Sequence, residues 1–120
     1  MDVVVTVPKG NWTEWIAEGD LPGETAKFAS HFWYGHGPLP RINPGERVYI
    51  VAHGKLRGYA PLVTVEPRCR LRYTDGVGCF LREGGAVAVT IDKPIRGFQG
   101  YRYRWWNRED EHPFPEWQVP

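Results

Sequence analysis

From Val3 to Val7 the chain runs Val-Val-Val-Thr-Val and is then stopped by Pro8 and Gly10. A short, uninterrupted β-branched run bounded by such residues predicts a strand buried on both faces. The period then lengthens. Asn11 stands three residues ahead of Glu14, and the segment closes on Gly19, the marks of a short capped helix. Trp12, Trp15 and Ile16 share one face of that helix at i, i+3, i+4 spacing. Asp20 to Gly23 reads as a turn, Glu24 to Phe32 as a second short helix or an irregular segment, and Trp33 to Pro44 as a loop containing Tyr34-Gly35-His36-Gly37-Pro38.

The pattern then shortens to two. Asn43-Pro44-Gly45-Glu46 is a turn, Arg47 to His53 a strand, Gly54-Lys55 a tight connection, and Leu56 to Glu66 a second strand, together a β-hairpin. Arg68 to Tyr73 alternates strictly, with Cys69, Leu71 and Tyr73 opposite Arg68, Arg70 and Arg72, as a half-buried strand does. Gly85 to Asp92 predicts another strand, with Val87, Val89 and Ile91 inward. The stretch Tyr101-Arg102-Tyr103-Arg104-Trp105-Trp106 alternates again. As a strand it places Tyr101, Tyr103 and Trp105 on one face and Arg102, Arg104 and Trp106 on the other.

A chain of 120 residues with 42% hydrophobic content supports one core, so the expectation is a single domain over 1–106 with a tail over 107–120. Pro113, Pro115 and Pro120 limit regular structure in that tail, while Phe114 and Trp117 are placed to staple it to the body. The fold class expected is α+β, mainly β, since Gly and Pro are spread between short Val-, Ile- and Tyr-rich runs.

A formal net charge of +1 excludes a strong global field for a polyanion. Acidic residues sit early (Glu14, Glu18, Asp20, Glu24) and late (Glu109, Asp110, Glu111), with Arg68, Arg70, Arg72, Arg82, Arg96, Arg102 and Arg104 between, which leaves room for a local basic face. Cys69 and Cys79 flank a turn. With no basic, apolar leader ahead of Val3, the expectation is reduced thiols in a cytoplasmic protein that contacts no membrane. No apolar run approaches the length of a transmembrane helix.

Large rings beside guanidinium planes stack bases and hold phosphates. On the late strand, Arg102, Arg104 and Trp106 are therefore contact candidates, and Tyr101 and Tyr103 core candidates. The alternative for the arginines is to cover apolar surface with their stems. Trp12 stands as either a cleft wall or core. The cluster Trp33, Tyr34 and His36 suits either a ligand-lining loop or a staple over the core. His31, His36, His53 and His112 and the two cysteines lack metal-ligand spacing, so no metal and no cofactor are expected. Ser30 is the sole serine, and no nucleophile elbow or phosphate loop is present.

The segments Arg41-Ile42-Asn43-Pro44-Gly45-Glu46-Arg47-Val48-Tyr49-Ile50 and Gly54-Lys55-Leu56-Arg57-Gly58-Tyr59-Ala60-Pro61-Leu62-Val63 resemble the PUA-like superfamily, and within it the EVE and ASCH domains. The shared features are a Pro-Gly-Asp/Glu turn, an Arg-Val-Tyr strand, a Gly-containing hairpin turn and a Gly-aromatic-Ala strand. The resemblance implies a small PUA-like mixed β-barrel with one or two short flanking helices, and a cleft that holds a nucleotide or a flipped, often modified base. It implies a nucleic-acid or nucleotide partner and a binding module, with Trp12, Trp33, Tyr34, His36, Arg57, Arg102, Arg104 and Trp106 as ligand-binding candidates. Some ASCH members hydrolyse modified nucleosides through a Lys and acidic partners. Here Tyr59 and Ala60 stand where that signature places its later residues. A hydrolase, with Lys55 and Glu46 or Glu66 as acid–base groups, is the first alternative, and a protein-interaction module using exposed rings the second.

Overall fold

The computed structural model describes residues 1–13, 39–66, 78–82, 87–117 and 119 fully, and the backbone of 30–35. The strands are β1 (Val3–Thr6), β2 (Ser30–Gly35), β3 (Arg47–Ala52), β4 (Lys55–Glu66), β5 (Gly78–Arg82), β6 (Val89–Thr90), β7 (Tyr101–Tyr103) and β8 (His112–Pro113). Six of them form one curled sheet in the order β2-β5-β4-β3-β1-β7, and β6 pairs with β8. β1 runs parallel to β3 and antiparallel to β7.

β1 is hydrogen-bonded along both edges, to β3 and β7, and its side chains are buried on both faces. Val3 and Val5, with Val7 beyond, join an inner cluster with Val48, Ile50, Ala52, Leu62, Phe80, Trp12 and Trp117. Val4 points the other way, into an outer cluster with Tyr49, Val51, Leu56, Ile95 and Trp106. This is the two-sided burial that the β-branched run predicts.

The β3–β4 hairpin forms as its sequence predicts, with the turn one residue earlier, at His53-Gly54. Both residues have positive φ, +50° and +74°, the primed turn whose twist matches the flanking strands. Below the turn the pairing slips, from Val51 opposite Leu56 to Ile50 opposite Gly58. Arg57 is the extra residue of this bulge, and bulges re-aim side chains. Its consequence shows in the faces: Leu56 packs in the outer cluster, whereas Leu62, an even number of residues on, packs in the inner one.

Gly58 allows a close backbone approach. A Cβ there would lie 2.5 Å from the carbonyl oxygen of Val87. Tyr59 and Val87 exchange two backbone hydrogen bonds, at 3.0 and 2.8 Å, which brings the segment after β5 across β4. This gives the glycine of Gly58-Tyr59-Ala60 a physical reason.

Three expectations change. Ser30–Gly35 is a strand paired with β5, not a helix or loop, and β5 itself is a strand the pattern did not isolate. Of the strand expected over Gly85 to Asp92, the described residues form Val89–Thr90 plus the Val87 bridge, and Val87 is 46% exposed rather than inward. The aromatic-arginine strand ends at Tyr103. The helix expected from Asn11 is preceded by a 3-10 turn at Lys9–Asn11 and begins at Trp12; its remainder, and the Arg68 to Tyr73 strand, lie outside the described residues. Cys79 is buried, with its thiol beside the Glu66 carboxylate.

The tail packs on the body. Trp117 is buried in the inner cluster with Phe114 against it, and a 3-10 turn at Arg108–Asp110 precedes β8.

Candidate binding cleft

The outer face of the hairpin is roofed by the chain that follows β7. Tyr49, at the centre of β3, meets the edge of Trp106 at 5.1 Å and the Tyr59 ring at 5.4 Å. The Tyr49 hydroxyl donates to the Glu111 carboxylate at 2.6 Å. Trp106 Nε1–H donates to it at 2.9 Å and Arg47 at 3.1 Å. Glu111 is thus a buried anion with three donors, one of them cationic, as a buried carboxylate requires. Burial, and then the neighbouring Glu111 anion, push the Tyr49 phenol well above its ordinary range, so it stays a donor. The Arg47 guanidinium also lies 4.0 Å over the Tyr59 ring.

Asp2 fastens the same roof from beneath. It accepts the Arg47 backbone N–H at 2.9 Å, Arg104 Nε at 3.1 Å and Arg108 Nη2 at 2.8 Å. Burial alone would raise its pKa. The Arg47 N–H and the charges of Arg108 and Arg104 outweigh that and hold the carboxyl below the usual range.

Between this roof and the loop after β6 lies a cleft of about 790 Å³. One wall is Ile91 to Ile95; the other is Trp105 to Asn107 with Glu109 to His112. Trp106, 8% exposed, is held in place by Glu111, while its neighbour Trp105 is 52% exposed and meets it edge-on at 5.0 Å. Phe98 continues the aromatic row at 6.3 Å from Trp105, and the exposed Arg102 guanidinium sits 4.3 Å over Phe98. His112 Nε2 and Asp92 Oδ1, 2.8 Å apart, tie the two walls together. An exposed indole face beside carboxylates and an amide can stack a planar ring and accept hydrogen bonds from its edge.

The sequence candidates distribute unevenly around this cleft. Trp106 lines it as a buried wall, and Arg102 stands near its rim through Phe98. Arg104 is engaged with Asp2 and with the Trp106 carbonyl. Trp12 and Arg57 lie on the opposite, inner face. Trp12 is 3% exposed and meets Trp117 edge-on at 5.6 Å. Arg57 is 1% exposed, between the Trp12 and Phe114 rings, and donates to the carbonyls of Ala52 at 2.9 Å, Trp117 at 2.7 Å and Val119. Burial lowers its pKa. Trp33 and Tyr34 sit on β2, at the far edge of the sheet from β7; their side chains, and His36, lie outside the described residues.

The acid–base candidates do not converge. Glu46 accepts the Met1 amino group and the Asn43 N–H, each at 2.7 Å. Lys55 lies beyond the other end of the six-residue β3, about 20 Å away at ~3.3 Å per residue, with its ammonium 5.8 Å over the Phe114 ring. Glu66 ends β4 beside the Cys79 thiol at 3.8 Å.

The residue that sequence reasoning misplaced is Trp105, set with Tyr101 and Tyr103 on the core face. Alternation carried past Tyr103, where the strand ends, is what misplaced it, and the local signal available was the polar run Asn107-Arg108-Glu109-Asp110 that follows at once. Among the described residues no three His, Cys, Asp or Glu side chains are grouped to hold a metal ion, and no helix is long and apolar enough to cross a membrane. No protein family, no curated protein and no solved structure matches this chain.

Proposed function

We propose that this chain is a PUA-like binding module that takes a nucleobase, carried by a nucleoside, a nucleotide or a short nucleic-acid segment, into the Trp105 cleft. The observation that carries the reading is the half-exposed Trp105 indole, braced edge-on by buried Trp106 at the mouth of a cleft roomy enough for a nucleoside. Asn107 and the carboxylates of the walls supply acceptors for a base edge. Arg102 and Lys93 are placed for a phosphate at the rim. The hairpin resemblance and the curled, mostly β sheet support the PUA-like assignment.

Stacking contributes ~1–3 kcal/mol per base, so one ring with a few hydrogen bonds holds a free nucleoside weakly and an attached chain more tightly. Near-neutral net charge fits a pocket reader better than a groove tracker. Binding is preferred to hydrolysis because Lys55, Glu46 and Glu66 are spread along the hairpin and the end of β4.

The test is a tryptophan fluorescence titration with nucleosides and with single-stranded and duplex oligonucleotides, at two salt concentrations. Parent protein should respond saturably. Trp105→Ala should lose that response at an unchanged melting temperature. If Trp105→Ala bound as well as the parent, the site would be wrong.

A further inference from the structure

We propose that the cleft selects a base bearing a positive charge, of the ring-N-alkylated purine class exemplified by 7-methylguanosine, over the neutral parent base. This rests on the base-binding reading and deepens it. The first ground is the ring. Trp105 is half exposed, and a cationic plane stacked on the electronegative face of an indole gains electrostatic attraction that a neutral plane does not.

The second ground is the charge balance of the walls. The described lining holds four carboxylates against one lysine, with His112 engaged by Asp92. Glu111 is already neutralised by Arg47 at 3.1 Å. That leaves Glu109 and Asp110 on one wall, and Asp92 bridged to His112 on the other, against the single charge of Lys93, so the balance of the lining favours a cation over an anion. Of the guanidinium groups nearest the cleft, Arg104 and Arg108 are engaged with Asp2, and Arg102, over Phe98, stays outside the lining. A phosphate therefore belongs at the rim and a cationic ring inside. Alkylation of a purine ring nitrogen leaves its amino edge free to donate to these carboxylates.

The experiment is isothermal titration of the intact chain with 7-methylguanosine, guanosine and N-acetylarginine amide, repeated on Trp105→Ala and on the Asp92→Asn/Asp110→Asn double variant. The expected result is roughly tenfold tighter binding of 7-methylguanosine than of guanosine, in line with a partly desolvated cation–aromatic contact. That preference should shrink severalfold in the double variant, with guanosine affinity little changed, and Trp105→Ala should lose both ligands. Equal affinity for the two nucleosides would overturn charge selection while leaving base binding intact. Tighter binding of N-acetylarginine amide than of 7-methylguanosine would also overturn it, since charge and not a base would then be recognised. No binding of either nucleoside would overturn both readings together.

Discussion

Two buried charges pin the same C-terminal segment to the same hairpin, from opposite faces and by opposite means. On the inner face Arg57 lies between two aromatic rings, and its described acceptors are main-chain carbonyls of Ala52, Trp117 and Val119. On the outer face Glu111 is met by the side chains of Tyr49, Trp106 and Arg47. A carbonyl exists at every residue, so the Arg57 staple grips the tail whatever its side chains are. The Glu111 contacts instead select particular rings and fix their orientation. The inner face is therefore built to hold, and the outer face to position Trp106 behind a cleft.

The contrast is broken most severely by Arg57→Met, which leaves the buried carbonyls of Ala52 and Trp117, and the partly buried one of Val119, without this donor. Urea denaturation should show a loss of ~3 kcal/mol or more, because each unsatisfied buried polar group costs ~1–3 kcal/mol. Gly58→Ala comes next. Its new Cβ meets backbone, not a flexible side chain, so the Tyr59–Val87 bridge must open, with a loss of ~2–3 kcal/mol in the same assay. Glu111→Gln should destabilise by ~1–2 kcal/mol, since it keeps one acceptor and loses the charge that holds Arg47 and Tyr49. Unlike Arg57→Met, it should also alter nucleoside binding, because it frees Trp106.

The outer face should further be the pH-sensitive one. Asp2 has a folded pKa below its ordinary value of 3.8, so its contribution is present above that pH and is lost as pH falls toward the lower folded value. Tyr49 has a folded pKa above its ordinary 10.0, so its contribution is present below pH 10 and fades as pH rises beyond it. Thermal melts across pH should decline at both extremes, with the acid limb flattened in Asp2→Asn and the alkaline limb in Tyr49→Phe. The smallest effect expected is a gain. His53 adopts a φ of +50° that asparagine tolerates better, and its buried Nε2 has no hydrogen-bond partner among the described residues, so His53→Asn should add ~0.5 kcal/mol.

What was legible in the sequence was what is local. The hairpin is announced by its turn and its alternation, and β1 by its β-branched run. β2 and β5 were not legible, because Ser30–Gly35 becomes a strand only by pairing with Gly78–Arg82, far along the chain. Arg57 read as a contact residue because nothing in the alternation marks the bulge that turns it inward. Trp105 and Trp106 exchanged roles because the strand stops at Tyr103, where Arg104 turns its side chain to Asp2 and to the Trp106 carbonyl, and the period of two ends with it. Glu111 gave no local sign: its partner Tyr49 is 62 positions away.

The most direct test is to follow the indole N–H resonances of the six tryptophans while guanosine or 7-methylguanosine is added. The Trp105 resonance should move most and Trp106 less, while Trp12 and Trp117, on the inner face, stay fixed. A titration in which no indole moved, or in which Trp12, Trp117 or Trp33 moved while Trp105 did not, would contradict the placement of the site.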